Sequence, residues 1–574
     1  MSFRTPNLPL TALLCLAPGL APAELTITGL EGDAERNVRV YVSLAAEPCD
    51  ADAWVIRRRY RSVTAEARRA LEPYGYYDPT IESTLEFDDQ CWRATLTIDP
   101  GEPVKLRQVD IAVEGEASKD SAFDALTQPA SLQPGASLRH AAYDNLKRSM
   151  QVLAADRGYV EAEFTESRLD IWPDRGSADV TLYFASGPRY EVGDIHQEQD
   201  FLEPALVGAY LELESGAPFD NRDLTQAYRN LSGSGYFSRI QVFADTDNAA
   251  DGRIPIQVLL EPGDRIEYTV GAGISTDTGP RLRAGYRNQR VNRKGHRFRS
   301  DLELSPVIQG ISAEYRRPLA DPRSEWMSYT AAYTAEDTES FDTDTASLVL
   351  RRSRRLGDNW IKTLSLDLSY EAFTVGADSG DSWLVLPAVA FDHKFVDREL
   401  YPNRGRRFGA EFRGTSKTIG SSTTFLQAQV WARWIRALGT GGRLITRGTA
   451  GVTAKSDFDE LPPSVRFFAG GDESVRGFDF ESLGPTDADG NVIGGSHLLV
   501  ASVEYEHRLR GNFYGAAFVD AGNAFDRFDV DPEVGAGLGI KWRSPVGAVR
   551  LYVGYPVSDD DASVRFHLRL GPDL

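Results

Sequence analysis

The 574-residue sequence has no run of about eighteen uninterrupted apolar residues, so it offers no candidate for a membrane-spanning helix. If the chain enters a bilayer, it must do so as a closed barrel, the other architecture that satisfies every backbone polar group. The one compact apolar stretch, Leu8 to Leu20, follows Arg4 and runs into Ala21-Pro22-Ala23, a small-x-small cleavage pattern. Residues 1–23 therefore read as a secretory signal peptide ending near Ala23. Bulky Leu14 before Cys15 argues against a lipoprotein signal.

Cysteine and basic charge are also scarce. After cleavage only Cys49 and Cys91 remain, with no Cys-x-x-Cys and no clustered His, and such a pair in an exported chain is a disulfide candidate rather than a metal site. Lys and Arg total 63 against 84 Asp and Glu, giving a net charge of −21, which excludes nucleic acid as a partner. Enzyme signatures are missing: there is no His-Glu-x-x-His, no Gly-x-Ser-x-Gly and no phosphate loop. Gly535-Ala536-Gly537-Leu538-Gly539 has no following helix and fits a strand of small residues. Asp487-Ala488-Asp489-Gly490 reads as a polar loop tip rather than a calcium loop. No catalytic residue, cofactor or metal is expected.

What the sequence does contain is repetition. Leu25 to Leu30 alternates like a strand, two helical stretches follow (the second Trp54 to Leu71), then a corner at Gly75, a strand through Phe87 and another from Cys91 to Ile98. The order recurs with strand Val104 to Val113, helix Tyr143 to Asp156, corner Gly158 and strand Val180 to Phe184. It recurs again from Tyr190, with helix Asp223 to Leu231, corner Gly235 and strand Ile254 to Leu260. A Gly at each corner can cap the helix in the left-handed conformation, with the next aromatic packed back on it. The string of small α+β units resembles three tandem POTRA (polypeptide-transport-associated) domains, 24–101, 102–187 and 188–262. That resemblance implies a periplasmic position and binding of client chains by strand addition. Arg57, Arg58, Arg59 and Arg61 fit a solvated helix face better than a docking patch.

From 263 to 574 the period becomes two. Ile266, Tyr268, Val270, Ala272 and Ile274 alternate with polar or small residues, as do Leu364 to Tyr370 and Val564 to Leu570. One face suits lipid and the other a wet lumen, and the turn signals divide the region into about sixteen strands. The expected fold is thus three α+β domains followed by a transmembrane β-barrel.

One loop stands out within it. Arg466 to Phe480 packs aromatics around Gly470-Gly471 and carries a single Arg476, so it should fold back onto the barrel rather than hang in water. Alternation turns Ser502, Glu504 and Glu506 of one strand, and Ala516, Phe518 and Asp520 of the next, toward the lumen. A guanidinium from Arg476 can bridge Glu504 and Asp520 there, although alternation alone equally allows two solvated carboxylates. Val475-Arg476-Gly477-Phe478 resembles the sixth-loop signature of the BamA/TamA outer-membrane assembly superfamily. Phe518-Val519-Asp520-Ala521-Gly522 resembles the wall motif that receives its Arg, and Glu504 sits where that family places a second acid.

Thr276-Asp277-Thr278-Gly279-Pro280 and the ending Leu570-Gly571-Pro572-Asp573-Leu574 resemble the TamA branch, though the end lacks a terminal aromatic. The resemblance implies an outer-membrane factor that helps autotransporters and other β-barrel clients to insert. Gly271 and Gly273 weaken the first strand, so its seam with the last strand, between Tyr268 on one side and Phe566 and Leu568 on the other, is the expected place for the barrel to open. The resemblance also implies outer-membrane lipid, unfolded outer-membrane clients and an inner-membrane-anchored, TamB-like protein as partners. The alternative is a two-partner-secretion transporter that exports a chain through the lumen.

Overall fold

In the computed structural model, residues 24–87, 91–398, 400–527, 531–544, 547–559 and 563–571 are described. The expected signal peptide, and with it Cys15, lies outside these residues, as do Ala562 and Pro572 to Leu574.

The N-terminal half carries three three-stranded sheets, each with its third strand in the middle. In the first, Trp92–Asp99 lies between Glu24–Thr28, which runs parallel to it, and antiparallel Thr80–Phe87. Trp92, Ala94, Leu96 and Ile98 are buried and alternate with less buried neighbours. They meet Val38, Ile56, Val63 and Leu71 of the covering helices. Cys49 and Cys91 are disulfide-bonded, their Cα atoms 4.6 Å apart.

The sequence suggests one helix from Trp54 to Leu71, but two form, Ala53–Tyr60 and Val63–Leu71. At the break the Ser62 hydroxyl lies 2.9 Å from the Arg59 carbonyl and 2.7 Å from the Glu66 carboxylate, which also accepts the Ser43 N–H at 2.7 Å. Side-chain bonding of this kind competes with continuous helix. Arg57, Arg58, Arg59 and Arg61 are exposed beside it.

The second sheet packs on helix His140–Asp156, whose Tyr143, Leu146, Met150 and Ala154 form the buried stripe expected of a helical period. The third combines Glu191–Glu198, Phe237–Ala244 and Arg253–Pro262 with helices Pro204–Leu211 and Asn221–Ser234. Corner glycines Gly75, Gly158 and Gly235 have φ of 90°, 83° and 72°. After Gly158 the Tyr159 N–H reaches back to the Ala154 carbonyl at 2.9 Å, the bond that closes a left-handed helix end.

The chain divides into two compact units. The first runs to Ile195 and includes Glu214–Asp223 and Ala244–Ile256; the second comprises His196–Leu213, Leu224–Phe243 and Gln257–Leu574. The second contains a sixteen-stranded antiparallel sheet in sequence order, from Ile266–Ser275 to Arg565–Gly571. Its outer positions are exposed and apolar, among them Tyr268, Val270, Leu366, Leu368, Val519 and Phe566. Its inner positions bury charge, including Glu371, Glu506, Asp520 and Lys541. An apolar outside and a charged inside are what a lipid-embedded barrel requires.

Candidate functional site

The loop between the eleventh strand, Gly442–Lys455, and the twelfth, His497–Arg510, packs against the inner wall. Three isolated backbone bridges hold its shape, Phe467 with Gly495, Ala469 with Leu483 and Thr486 with Val492. Phe467, Ala469 and Val475 are buried against Leu498, Val500 and Ala524, with Phe478 packed beside them. Gly470, Gly471 and Gly477 have φ of 104°, 95° and 104°, a region that L side chains rarely enter, so the bends around Arg476 need glycine.

Arg476 ends in the pocket these bends create. Its Nε donates to Asp520 Oδ2 at 2.7 Å and its Nη2 to Asp520 Oδ1 at 2.9 Å, a forked pair. Nη1 donates to Glu504 Oε2 at 2.5 Å, and the Arg476 main-chain N–H adds a further bond to Asp520 Oδ2 at 3.1 Å. The guanidinium carbon stands 3.6 Å from the centre of the Phe518 ring and 4.7 Å from that of Tyr552, whose hydroxyl donates to Glu504 Oε1 at 2.8 Å. Arg447 approaches Asp520 at 3.4 Å and donates to the Asp472 and Ser474 carbonyls. Buried Arg476 and partly buried Arg447 thus face two buried carboxylates. Burial alone would favour loss of the Arg476 proton, but the hydrogen bonds and charges of Asp520 and Glu504 outweigh it and raise the pKa.

The wall is shaped for this loop. A Cβ on Gly535 would strike the Arg476 carbonyl oxygen, and one on Gly537 would come within 2.6 Å of the Phe518 ring. The run of small residues in the fourteenth strand, Glu533–Ser544, is a seat for the loop and its aromatic lining.

The loop also joins the barrel's two ends. Among the described residues the first and last strands form no continuous ladder. One main-chain bond links them, Thr276 N–H to the Leu568 carbonyl at 3.3 Å, with the Leu568 N–H donating to Thr276 Oγ1 at 3.2 Å. By contrast the first strand pairs with the second over ten residues. Tyr268 and Phe566 are 73% and 65% exposed on the outer face. Gly271 and Gly273 leave the first strand without side chains at two positions, and open space lies beside the former.

Across this gap reaches Asp472. It accepts from Ser275 Oγ and Thr276 Oγ1 of the first strand's end at 3.2 and 3.3 Å, and lies 2.6 Å from His567 Nδ1 of the last strand. His567 Nε2 accepts the Gly477 N–H at 2.9 Å, so the ring proton sits on Nδ1 and is donated to Asp472. On either side of His567, Arg565 pairs with Asp479 and Arg569 with Glu473. Asp277 accepts the Asp472 N–H at 2.9 Å; burial first, and then the Asp472 charge, push its carboxyl up to about 6. Asp277, Asp472 and His567 bring donor atoms within 4.8 Å of one another, but Nδ1 carries a proton, so the group is a hydrogen-bonded clasp.

The sequence-derived residues Arg476, Glu504 and Asp520 are therefore in contact, and Val475, Gly477 and Phe478 frame them. Asp472, His567, Thr276 and Asp277 were missed as a group. The available signal was the inward row Arg565, His567, Arg569 on the last strand, matched by the acids Asp472, Glu473 and Asp479 in the loop.

A membrane-type barrel preceded by repeated α+β modules and closed by an internal loop defines the class. Residues 278–573, just over half of the chain, match the Omp85 superfamily domain, and residues 24–100 match the first POTRA domain of TamA. The chain belongs to the Omp85 superfamily. It is 22% identical over 444 residues to the outer membrane protein assembly factor BamA of Nitratidesulfovibrio vulgaris, covering 73% of this chain and 55% of that one. It thus spans about half the length of that relative. It is 21% identical over 568 residues to BamA of Neisseria meningitidis serogroup B, covering 87% of this chain and 70% of that one. The crystal structure of Haemophilus ducreyi BamA lacking POTRA domains 1–3 superposes with a TM-score of 0.69 at 16% identity, covering 81% of this chain and 99% of that chain.

Proposed function

We propose that this chain is an outer-membrane assembly factor of the TamA type, with its N-terminal modules in the periplasm, which promotes insertion and folding of autotransporters and other β-barrel proteins. The observation that carries this reading is the seam, where a single main-chain bond and a side-chain clasp stand in place of a strand ladder. Once the clasp releases, the first strand offers unpaired N–H and C=O groups at bilayer height. A client strand can satisfy them without any nucleotide. Arg476, anchored to Glu504 and Asp520, keeps the loop within the lumen and braces the wall beside the seam while this happens. An inner-membrane-anchored, TamB-like protein is the expected partner of the N-terminal modules.

Photo-crosslinkers at Tyr268 and Phe566, and at inward-facing Arg351, test the proposal in cells exporting a β-barrel client. Adducts at the first two positions are the expected result. Adducts at Arg351 alone would overturn it in favour of export through the lumen, as in two-partner secretion.

A further inference from the structure

A pocket of about 330 Å³ opens within the second compact unit, at the barrel end where the first strand begins. Its lining includes Arg229 of helix Asn221–Ser234 and four arginines from the ends of barrel strands and one turn: Arg297, Arg316, Arg323 and Arg355. No Asp or Glu lines it, in a chain whose net charge is −21.

Among the described residues only Arg323 is ion-paired, with Asp321 at 3.0 Å and with Glu212, while Glu314 stands near Arg297 and Arg316 in the adjoining cleft without pairing with either. Arg297 donates to the Ser234 carbonyl and lies 4.5 Å from the centre of the Tyr236 ring, while Arg316 lies 4.0 Å from that of Trp326. These contacts fix the guanidinium groups without supplying countercharge. Among the described residues no carboxylate lies within ion-pair distance of Arg229, Arg297, Arg316 or Arg355. The frame around them is also held, because Tyr236 donates to the Gly295 carbonyl at 2.5 Å and Tyr210 to that of Pro322 at 3.3 Å. Arginines scattered over a solvated surface cost little, but four converging on one cavity repel one another, and some are already ordered by ring stacking. An anion held in the cavity would offset that repulsion.

We infer that this pocket binds a phosphate group, supplied either by a soluble phosphate compound or by a lipid headgroup. Four unpaired guanidinium groups exceed what one carboxylate can neutralise, whereas a phosphate offers several oxygens and up to two charges to forked donors. The volume is that of a small ligand site, of which roughly 300 Å³ is the lower end.

The test uses the full-length protein. In neutral detergent at about 0.15 M salt, where long-range attraction is screened, calorimetry with pyrophosphate and with glycerol 1-phosphate measures the soluble arm. Native mass spectrometry from nanodiscs containing phosphatidylglycerol or phosphatidylcholine measures the lipid arm. The double variant Arg229→Gln/Arg355→Gln alters two exposed side chains, and an unchanged unfolding temperature will show that it folds. It should weaken phosphate binding by roughly tenfold or more, the loss of one charge-assisted hydrogen bond or more. Arg168→Gln in the second module should not. Binding of glycerol 1-phosphate without lipid retention identifies a soluble ligand; retention of phosphatidylglycerol that the variant loses identifies a headgroup. Equal behaviour of wild type and double variant in both arms, or equal weakening by Arg168→Gln, would each overturn the inference.

Discussion

Asp472 and His567 meet at 2.6 Å, and through that contact a loop residue holds the last strand while its other bonds hold the end of the first. The seam is thus fastened from inside, by a carboxylate that belongs to neither edge.

Asp472→Ala removes three side-chain bonds from this point, and about 1–3 kcal/mol of local stabilisation is expected to go with them. Spin labels at Tyr268 and Phe566 should report a broader and longer distance distribution than in the parent. An unaltered distribution would show that the clasp does not govern the gap.

Arg476→Ala leaves Asp520 and Glu504 without their shared guanidinium, with Arg447 still beside Asp520. Breaking one partner out of a buried charged group costs about 3–5 kcal/mol. The barrel should still form, judged by its heat-dependent migration on gels, but the loop should become protease-sensitive and client assembly should fall. Arg476→Lys should rescue little, because a single ammonium cannot reproduce the fork to Asp520.

Gly535→Val tests the wall rather than the loop. Its side chain would occupy the space of the Arg476 carbonyl, so the loop should be displaced with every charged residue intact. Protease sensitivity like that of Arg476→Ala is the expected outcome; a protected loop would mean that the strand yields instead.

Glu481 supplies a pH dependence. Burial first, then the charges of Glu336 and Asp277, push its carboxyl from 4.5 up to about 8. The folded state therefore holds this proton more tightly than the unfolded state. The associated stability is fully present below 4.5 and is lost as pH rises through about 8. Protease protection of the loop should decline across that window, and Glu481→Gln should flatten the decline.

Much of this arrangement was legible in the sequence because the barrel's alternation has a fixed period. Once Val503 and Val519 face outward, Glu504 and Asp520 must face inward, and the glycines and aromatics of the loop require burial somewhere. The helix break at Ser62 was not legible, because it turns on hydroxyl and carboxylate bonds that compete with the helix locally. Nor was the Asp472 clasp. It joins positions 275, 472 and 567, and no local pattern states which loop acid meets which strand residue. The Gly535 seat shows the same limit: its run of small residues signals close approach without naming what approaches.

Every residue that receives Arg476 or Gly477 comes later in the chain: Ser502, Glu504, Asp520, Tyr552 and finally His567. A polypeptide emerging from its N-terminus has no berth for Phe467, Val475 and Phe478 until the twelfth and thirteenth strands exist, and no partner for the Gly477 amide until the sixteenth arrives. Seating of the loop therefore waits on the twelfth and thirteenth strands, and its fastening to the closing edge waits on the last. A chain halted before residue 565 could seat the aromatic loop but not fasten it, because His567, which holds both the Gly477 amide and Asp472, would still be missing.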